Sequence, residues 1–289
     1  MRLDTPPILD GAAALLSQYE AIFCDVWGVL HNGARAYPAA GDALSRYRSE
    51  GGRVVLVSNA PLPSHSVAAL LDHRHVRRDA WDTIVSSGDL ARAHIVEHGY
   101  ERLHHIGPDR DLGIFADTKV RLVALEEAQA IACTGLIDDE RETGESYRPL
   151  LLAARERNLP LICANPDLVV DVGGTLLPCA GIVATMYEAM GGSVYWAGKP
   201  YAIAYQSAHR RAEDLLQRPV DRSRILAIGD AIRTDVAGAV NYGVDVLFIS
   251  HGIHRDELMP AGSLDRDELA RFLAAAAHKP KAIMAELAW

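Results

Sequence analysis

The 289-residue sequence contains no run approaching the roughly 18 apolar residues that a membrane-spanning helix requires, which argues against a helical membrane protein. It is also poor in cysteine. Cys24, Cys133, Cys163 and Cys179 are scattered, with no C-x-x-C and no metal-type spacing, so neither a zinc site nor a disulfide framework is implied. Three of the four lie in apolar runs, where cysteine acts as a small buried hydrophobe. The opening MRLDTPPILDG has one arginine, an acid and two prolines, and no apolar core of signal-peptide length follows. A reducing cytoplasm is the expected location. Basic residues are scarce as well: 29 Lys and Arg stand against 38 Asp and Glu, a formal net charge of −9. Nucleic acid and anionic membrane surfaces are therefore disfavoured as partners, since both need a basic patch. A small anion in a locally positive pocket is not excluded.

What is present is globular composition, with 49% apolar and 23% charged residues, enough for one large or two ordinary domains. Strand-like and helix-like stretches alternate. Ala21 to Cys24 reads as a buried strand that stops at Asp25, with Gly28 in the turn beyond it. A helix over Pro38 to Glu50 ends at Gly51 and Gly52, a second strand covers Arg53 to Val57, and Ser58 and Asn59 follow it. After a helix from Ser64 and a strand at Thr83 to Val85, the texture changes without losing the alternation. VYWAGKPY, LAIGDAIRTD and VDVLFIS then resume the first pattern, and the tail beyond His251 suggests a closing helix. The expected fold is α/β, with a Rossmann-like parallel-sheet core over residues 1–85 and 195–289 and an inserted α/β unit over residues 86–194.

Strand ends in this reading carry Asp25, then Ser58 with Asn59, then Lys199, then Asp230 with Asp235. In open parallel sheets ligands bind outside the carboxyl ends of the strands. If these residues converge, they offer two carboxylates for a divalent cation, hydroxyl and amide donors for an anion, and a lysine to neutralise it. That combination suits phosphoryl transfer, which mainly needs positioning and charge neutralisation. Each element alone has a plainer explanation. Asp25 could open a turn, Lys199 could be a solvated turn residue, and Asp230 and Asp235 could favour a helix dipole.

At this point the sequence resembles a known family. DVWGVLHNG, VVLVSNAP, AGKPY and LAIGDAIRTD match, in order and spacing, the four motifs of haloacid dehalogenase-like phosphatases. The insert, with ANPDLVVDVGGTLLPCAG inside it, is similar to the α/β cap of their class IIA branch, which holds p-nitrophenyl, pyridoxal, phosphoglycolate and sugar phosphatases. The resemblance implies an Mg2+-dependent phosphatase of small phosphorylated metabolites working through an aspartyl-phosphate. It implies Asp25 as nucleophile and metal ligand, Asp230 as the second ligand, and Asp235 holding the metal shell from one step out. It further implies Ser58 and Lys199 as phosphate binders, with Asn59 and the backbone around Gly28 completing the cradle. The family's remaining ligand is the backbone carbonyl of residue 27.

Residue 27 is also where the sequence departs from that pattern. Most members carry a second aspartate there, to protonate the leaving group and later activate water, and here it is Trp27. Indole cannot exchange a proton near neutrality, and general acid–base help is worth about 10²–10⁴ in rate. The alternative reading is therefore a catalytically impaired protein that binds phosphorylated metabolites. His31, six positions beyond Asp25, is either an ordinary loop residue or a substitute acid. Asn165 and Asp167 fit a turn after a strand almost as well as a role in substrate choice, and neither is assigned catalysis on sequence grounds. His251 and His254 lack a third ligand nearby in sequence. A structural role, as a homodimer through the insert, rests on nothing beyond the insert itself.

Overall fold

The computed structural model describes residues 6–289. Thirteen strands follow in chain order: β1 (Ala21–Cys24), β2 (Arg53–Ser58), β3 (Thr83–Ser86), β4 (Arg102–Ile106), β5 (Arg121–Leu122), β6 (Ala130–Cys133), β7 (Leu161–Cys163), β8 (Val169–Val172), β9 (Thr175–Pro178), β10 (Val194–Trp196), β11 (Ile225–Gly229), β12 (Asp245–Ile249) and β13 (Ala282–Met284). They form a six-stranded sheet in the order β13-β12-β11-β1-β2-β3, a five-stranded sheet in the order β10-β7-β6-β4-β5, and the β8–β9 hairpin. All pairs in the two larger sheets are parallel, and the hairpin is antiparallel. The α/β class, with a Rossmann-like core and an inserted second unit, is thus the observed architecture.

The central strands are uniformly apolar because both faces of the sheet are covered. Phe23, Val55 and Phe248 on one face pack with Ala204, Tyr205 and Ala208 of the helix Ala202–Leu216. On the other face Ile22, Leu56 and Leu247 pack with Leu44 and Leu71, from the helices Pro38–Ser49 and Ser64–His73. From β1 the chain builds outward through β2 and β3, and it later returns to the other side of β1 as β11, β12 and β13. The reversal point therefore lies between β1 and β11, where a parallel sheet opens a crevice at its carboxyl edge. Asp25 and Asp230 are the residues that follow those two strands.

Two sequence expectations need correction. Val194–Trp196 does not resume the core: β10 pairs with β7, Val194 opposite Leu161 and Trp196 opposite Cys163, so the second sheet runs to Trp196. A three-residue apolar run fits either sheet, and only the pairing decides between them. The tail is not simply helical, because the helix Arg266–Ala275 is followed by β13, which adds an edge strand to the core.

The helix Ser87–Glu97 joins the two units. It packs on β3 and on the helix Ala202–Leu216. Its Leu90, Ala91 and Ile95 belong to one apolar cluster that includes Phe23 and Val55 of the core sheet and Leu103, Ala132 and Ile162 of the second sheet. Glycines at the junctions reflect this tight packing. A Cβ at Gly88 would overlap the Leu62 backbone, and one at Gly192 would overlap the Tyr187 ring. Ile162 is fully buried in the shared cluster, so Ile162→Ala should lower stability by about 2–5 kcal/mol. A urea titration should show the lower midpoint with both units still unfolding together; a normal midpoint would mean that the two cores are not coupled there.

Candidate active site

At the carboxyl edge of β1, the Asp25 N–H still donates to Ile228 O at 2.8 Å, continuing the ladder and fixing the direction of its side chain. Asp25 Oδ1 accepts from the Val26 N–H and from the Lys199 ammonium, each at 2.7 Å. The same ammonium donates to Asp235 Oδ1 at 2.7 Å, and Asp235 Oδ2 accepts the Ala231 N–H at 3.1 Å. Asp235 lies in a single π-helical turn, Ile232–Val236, that points it back under the loop after β11. Asp230 Oδ2 accepts the Ile253 N–H at 2.7 Å.

One carboxylate oxygen from each of Asp25, Asp230 and Asp235 lies within 4.8 Å of the others, the one such group of three or more His, Cys, Asp or Glu side chains among the described residues. His251 and His254 are not part of it. Burial opposes the Lys199 ammonium, but Asp235 and Asp25 outweigh it and hold its pKa well above the usual value. One lysine cannot neutralise three acids. Burial first, then the charge of Asp235, pushes Asp25 well above the normal carboxylate range and Asp230 up to about 7. An all-oxygen donor set with surplus negative charge fits a hard divalent cation, whose binding would relieve that repulsion. Asp235 has both oxygens engaged, so its direct role is to anchor Lys199 and the Ala231 backbone.

The glycines around Asp230 have a specific reason. Gly28 has φ +81°, and a Cβ there or at Gly252 would overlap the Asp230 carboxylate. Gly28 does not supply a cradle amide, because its own N–H donates to His31 O at 2.7 Å within the turn. The Asn59 side chain is also not free for an anion. Its Oδ1 accepts the Lys199 N–H at 2.8 Å and the Ser87 hydroxyl at 3.3 Å, while its Nδ2 donates to Lys199 O and to Asp167 Oδ1, each at 3.0 Å. Asn59 thus clasps the Lys199 backbone and ties it to the insert. Ser58 is different: its oxygen accepts the Ala60 N–H at 3.2 Å, which leaves the hydroxyl proton to donate.

Trp27 points away from proton chemistry. Its indole N–H donates to Asp171 O at 2.7 Å, linking the loop after β1 to the β8–β9 hairpin of the insert. His31 is fully buried, edge-on to Trp27 at 4.9 Å, and its Nδ1 accepts the Gly33 N–H at 3.0 Å. Burial, with help from Arg74, lowers its pKa to about 4, which disfavours a charged imidazole there near neutrality. What the sequence reading left unassigned is Asp167, from the loop after β7, which reaches the core through Asn59. Its signal was the NPD run, which sequence alone could not separate from an ordinary turn.

Asp25, Trp27, Ser58, Asn59, Asp167 and Asp230 line a cavity of about 670 Å³ between the core and the insert. Asp25, Ser58 and Asp230 occupy its core side, Leu62 and Leu70 form one apolar wall, and Leu168 and Leu177 of the insert form another. Gly28→Ala should raise the divalent-cation concentration needed for half-maximal thermal stabilisation, because the new Cβ displaces Asp230. A cation titration identical to that of the unaltered protein would show that the close approach of Gly28 to Asp230 does not shape this site.

Comparison with known proteins agrees with the geometry. Residues 22–121 match the haloacid dehalogenase-like hydrolase family, and residues 196–288 match a second HAD-hydrolase-like description. Among curated proteins, the acid sugar phosphatase of Staphylococcus epidermidis is 24% identical over 252 residues, covering 82% of this chain and 89% of that protein. The solved p-nitrophenyl phosphatase of Archaeoglobus fulgidus has the same fold, with a TM-score of 0.69 at 19% identity over 93% of this chain and 96% of that one. A hydrolase of the haloacid dehalogenase-like family from Brucella suis 1330 superposes with a TM-score of 0.84 at 44% identity, covering 98% of this chain and 99% of that one. With that identity over nearly the full length of both chains, and with the acids at the carboxyl edge of the sheet, the chain belongs to the haloacid dehalogenase-like hydrolase family.

Proposed function

We propose that the protein is an Mg2+-dependent phosphatase of small phosphorylated metabolites, of the sugar-phosphate or aryl-phosphate type, acting through a phosphoaspartyl intermediate on Asp25. The observation that carries this reading is the Asp25 carboxylate itself. One oxygen is fixed by the Val26 N–H and the Lys199 ammonium, and the other has freedom to attack. Relatives named acid sugar phosphatase and p-nitrophenyl phosphatase support the substrate class. They give no support to the alternative of a non-catalytic binder.

In this mechanism Asp25 attacks the phosphorus of a monoester and the bond to the leaving oxygen breaks. Lys199, held by Asp235 and by the Asn59 clasp, neutralises charge on the transferring group. The Ser58 hydroxyl donates to a phosphoryl oxygen. Asp25, Asp230 and the backbone carbonyl of Trp27 would hold Mg2+, which when bound supplies further charge neutralisation to the phosphoryl oxygens. Water then releases phosphate from Asp25. Residues 86–196 act as a cap, with the β8–β9 hairpin tied down by Trp27, to exclude water and select the organic part of the substrate. A cytoplasmic site of action accords with four buried, unpaired thiols.

Asp25→Asn should abolish phosphate release, by on the order of 10³-fold or more, while the fold stays intact, because no other group in the cavity replaces the nucleophile. Retained turnover of p-nitrophenyl phosphate by the folded variant would remove Asp25 from this role. Lys199→Ala should destabilise the protein by about 3–5 kcal/mol without cation, since it leaves buried acids unpaired. Mg2+ should recover part of that loss; equal denaturation midpoints with and without Mg2+ would contradict a shared charge balance.

A further inference from the structure

Phosphate-ester cleavage with an alkyl leaving group needs a proton donor, and the two candidates on the loop after β1 do not provide one. Trp27 has its indole N–H committed to Asp171 O, and His31 is buried with Nδ1 occupied. We propose that Asp167, carried by the insert, is the general acid and base of the reaction and replaces the carboxylate that position 27 lacks. This inference rests on the phosphatase reading above and names the group that completes it.

The geometry is preorganised. Asp167 lines the same cavity as Asp25 and Ser58. Its Oδ1 accepts from Asn59 Nδ2 at 3.0 Å, the same nitrogen donates to Lys199 O at 3.0 Å, and the Lys199 ammonium reaches Asp25 Oδ1 at 2.7 Å. With Oδ1 fixed, Oδ2 is the atom left to carry and transfer a proton. The backbone is fixed too. The Asp167 N–H donates to Asn165 Oδ1 at 3.1 Å, and its carbonyl accepts the Gly181 N–H at 3.1 Å, at the start of the helix Ala180–Ala189. Gly181 is required there, since a Cβ would overlap that carbonyl.

The surroundings suit proton exchange near neutrality. Burial raises the Asp167 pKa to about 6, opposed by Lys199, by the Asn59 hydrogen bond and by Arg233, and reinforced by Asp235. Asp230 and the un-ionised thiols of Cys163 and Cys179 complete the titratable groups facing it. A carboxyl with a raised pKa is partly protonated at neutral pH and can act in both directions. In the first step the Asp25–phosphorus bond forms, the bond from phosphorus to the leaving oxygen breaks, and Asp167 gives its proton to that oxygen. In the second, Asp167 takes a proton from the water that attacks phosphorus, the bond between phosphorus and Asp25 breaks, and inorganic phosphate leaves with both carboxyl groups restored.

The test compares p-nitrophenyl phosphate, whose leaving group needs no proton, with glucose 6-phosphate, whose leaving group does. Asp167→Asn keeps an acceptor for Asn59 but cannot donate an acidic proton. It should lower kcat/KM for glucose 6-phosphate by about 10²–10⁴-fold and for p-nitrophenyl phosphate by less than about tenfold. Loss of the base in the second step should also produce a burst of p-nitrophenolate matching the enzyme concentration. In the unaltered protein, kcat/KM for glucose 6-phosphate should fall as pH rises through about 6, with no such fall for the aryl ester, a measurement that needs no variant. Equal losses on both substrates, no loss on either, or pH profiles of the same shape would overturn the role of Asp167 and leave the phosphatase reading standing. No phosphate release by the unaltered protein from either ester, with Mg2+ present, would instead overturn that reading and this inference with it.

Discussion

The Lys199 ammonium, buried between Asp25 and Asp235, is the interaction on which the rest of the site depends. Without it, three carboxylates would share a volume in which burial alone disfavours each charge. With it, Asp25 is oriented and Asp235 is neutralised, and an excess of negative charge remains for a cation. The fold goes to some length to fix this one side chain. Asn59 brackets the Lys199 peptide by its N–H and its C=O, and a Cβ at Gly198 would overlap the Ser87 hydroxyl beside that clasp. Asp235 in turn is carried on a π-helical turn, a local departure from α-helical geometry of the kind that concentrates at functional sites.

The same clasp couples the two units of the chain. Asn59 belongs to the core and Asp167 to the insert, so one amide side chain holds both the backbone of the nucleophile's partner and an acid of the insert. A second tie runs from the Trp27 indole, in the loop after β1, to Asp171 O of the hairpin. The shared apolar cluster that includes Leu90, Phe23 and Ile162 continues from the core into the second sheet. Polar ties of this kind contribute modest net stability, roughly 0.5–1.5 kcal/mol each, and their larger effect is to specify geometry. Trp27 thus commits its one polar group to the β8–β9 hairpin of the insert.

Much of this was legible in the sequence. Short apolar runs bounded by turn residues marked the core strands, and the ordered motifs at their ends gave Asp25, Ser58, Asp230 and Asp235, because a strand has one direction and its last residue must emerge at one edge; Lys199 was named by its motif, although the strand before it belongs to the second sheet. Less legible was what each polar side chain does on arrival. Asn59 reads as an anion donor until its four hydrogen bonds are seen, and Gly28 reads as a cradle amide until its N–H is found closing the turn on His31. His31 reads as a candidate acid by proximity alone, whereas the structure buries it fully and occupies its Nδ1 with the Gly33 N–H.

The sequence by itself determined the α/β class, the inserted unit and the presence of acids after core strands, since alternation of strands and helices allows few ways to build a parallel sheet. Tertiary structure alone decided the strand order that puts β1 beside β11, the membership of Val194–Trp196 in the second sheet, and the meeting of Asp167 with Asn59 across 108 positions of chain. Those outcomes depend on which surfaces pack together. Contacts between residues far apart in sequence leave no local pattern from which they can be read.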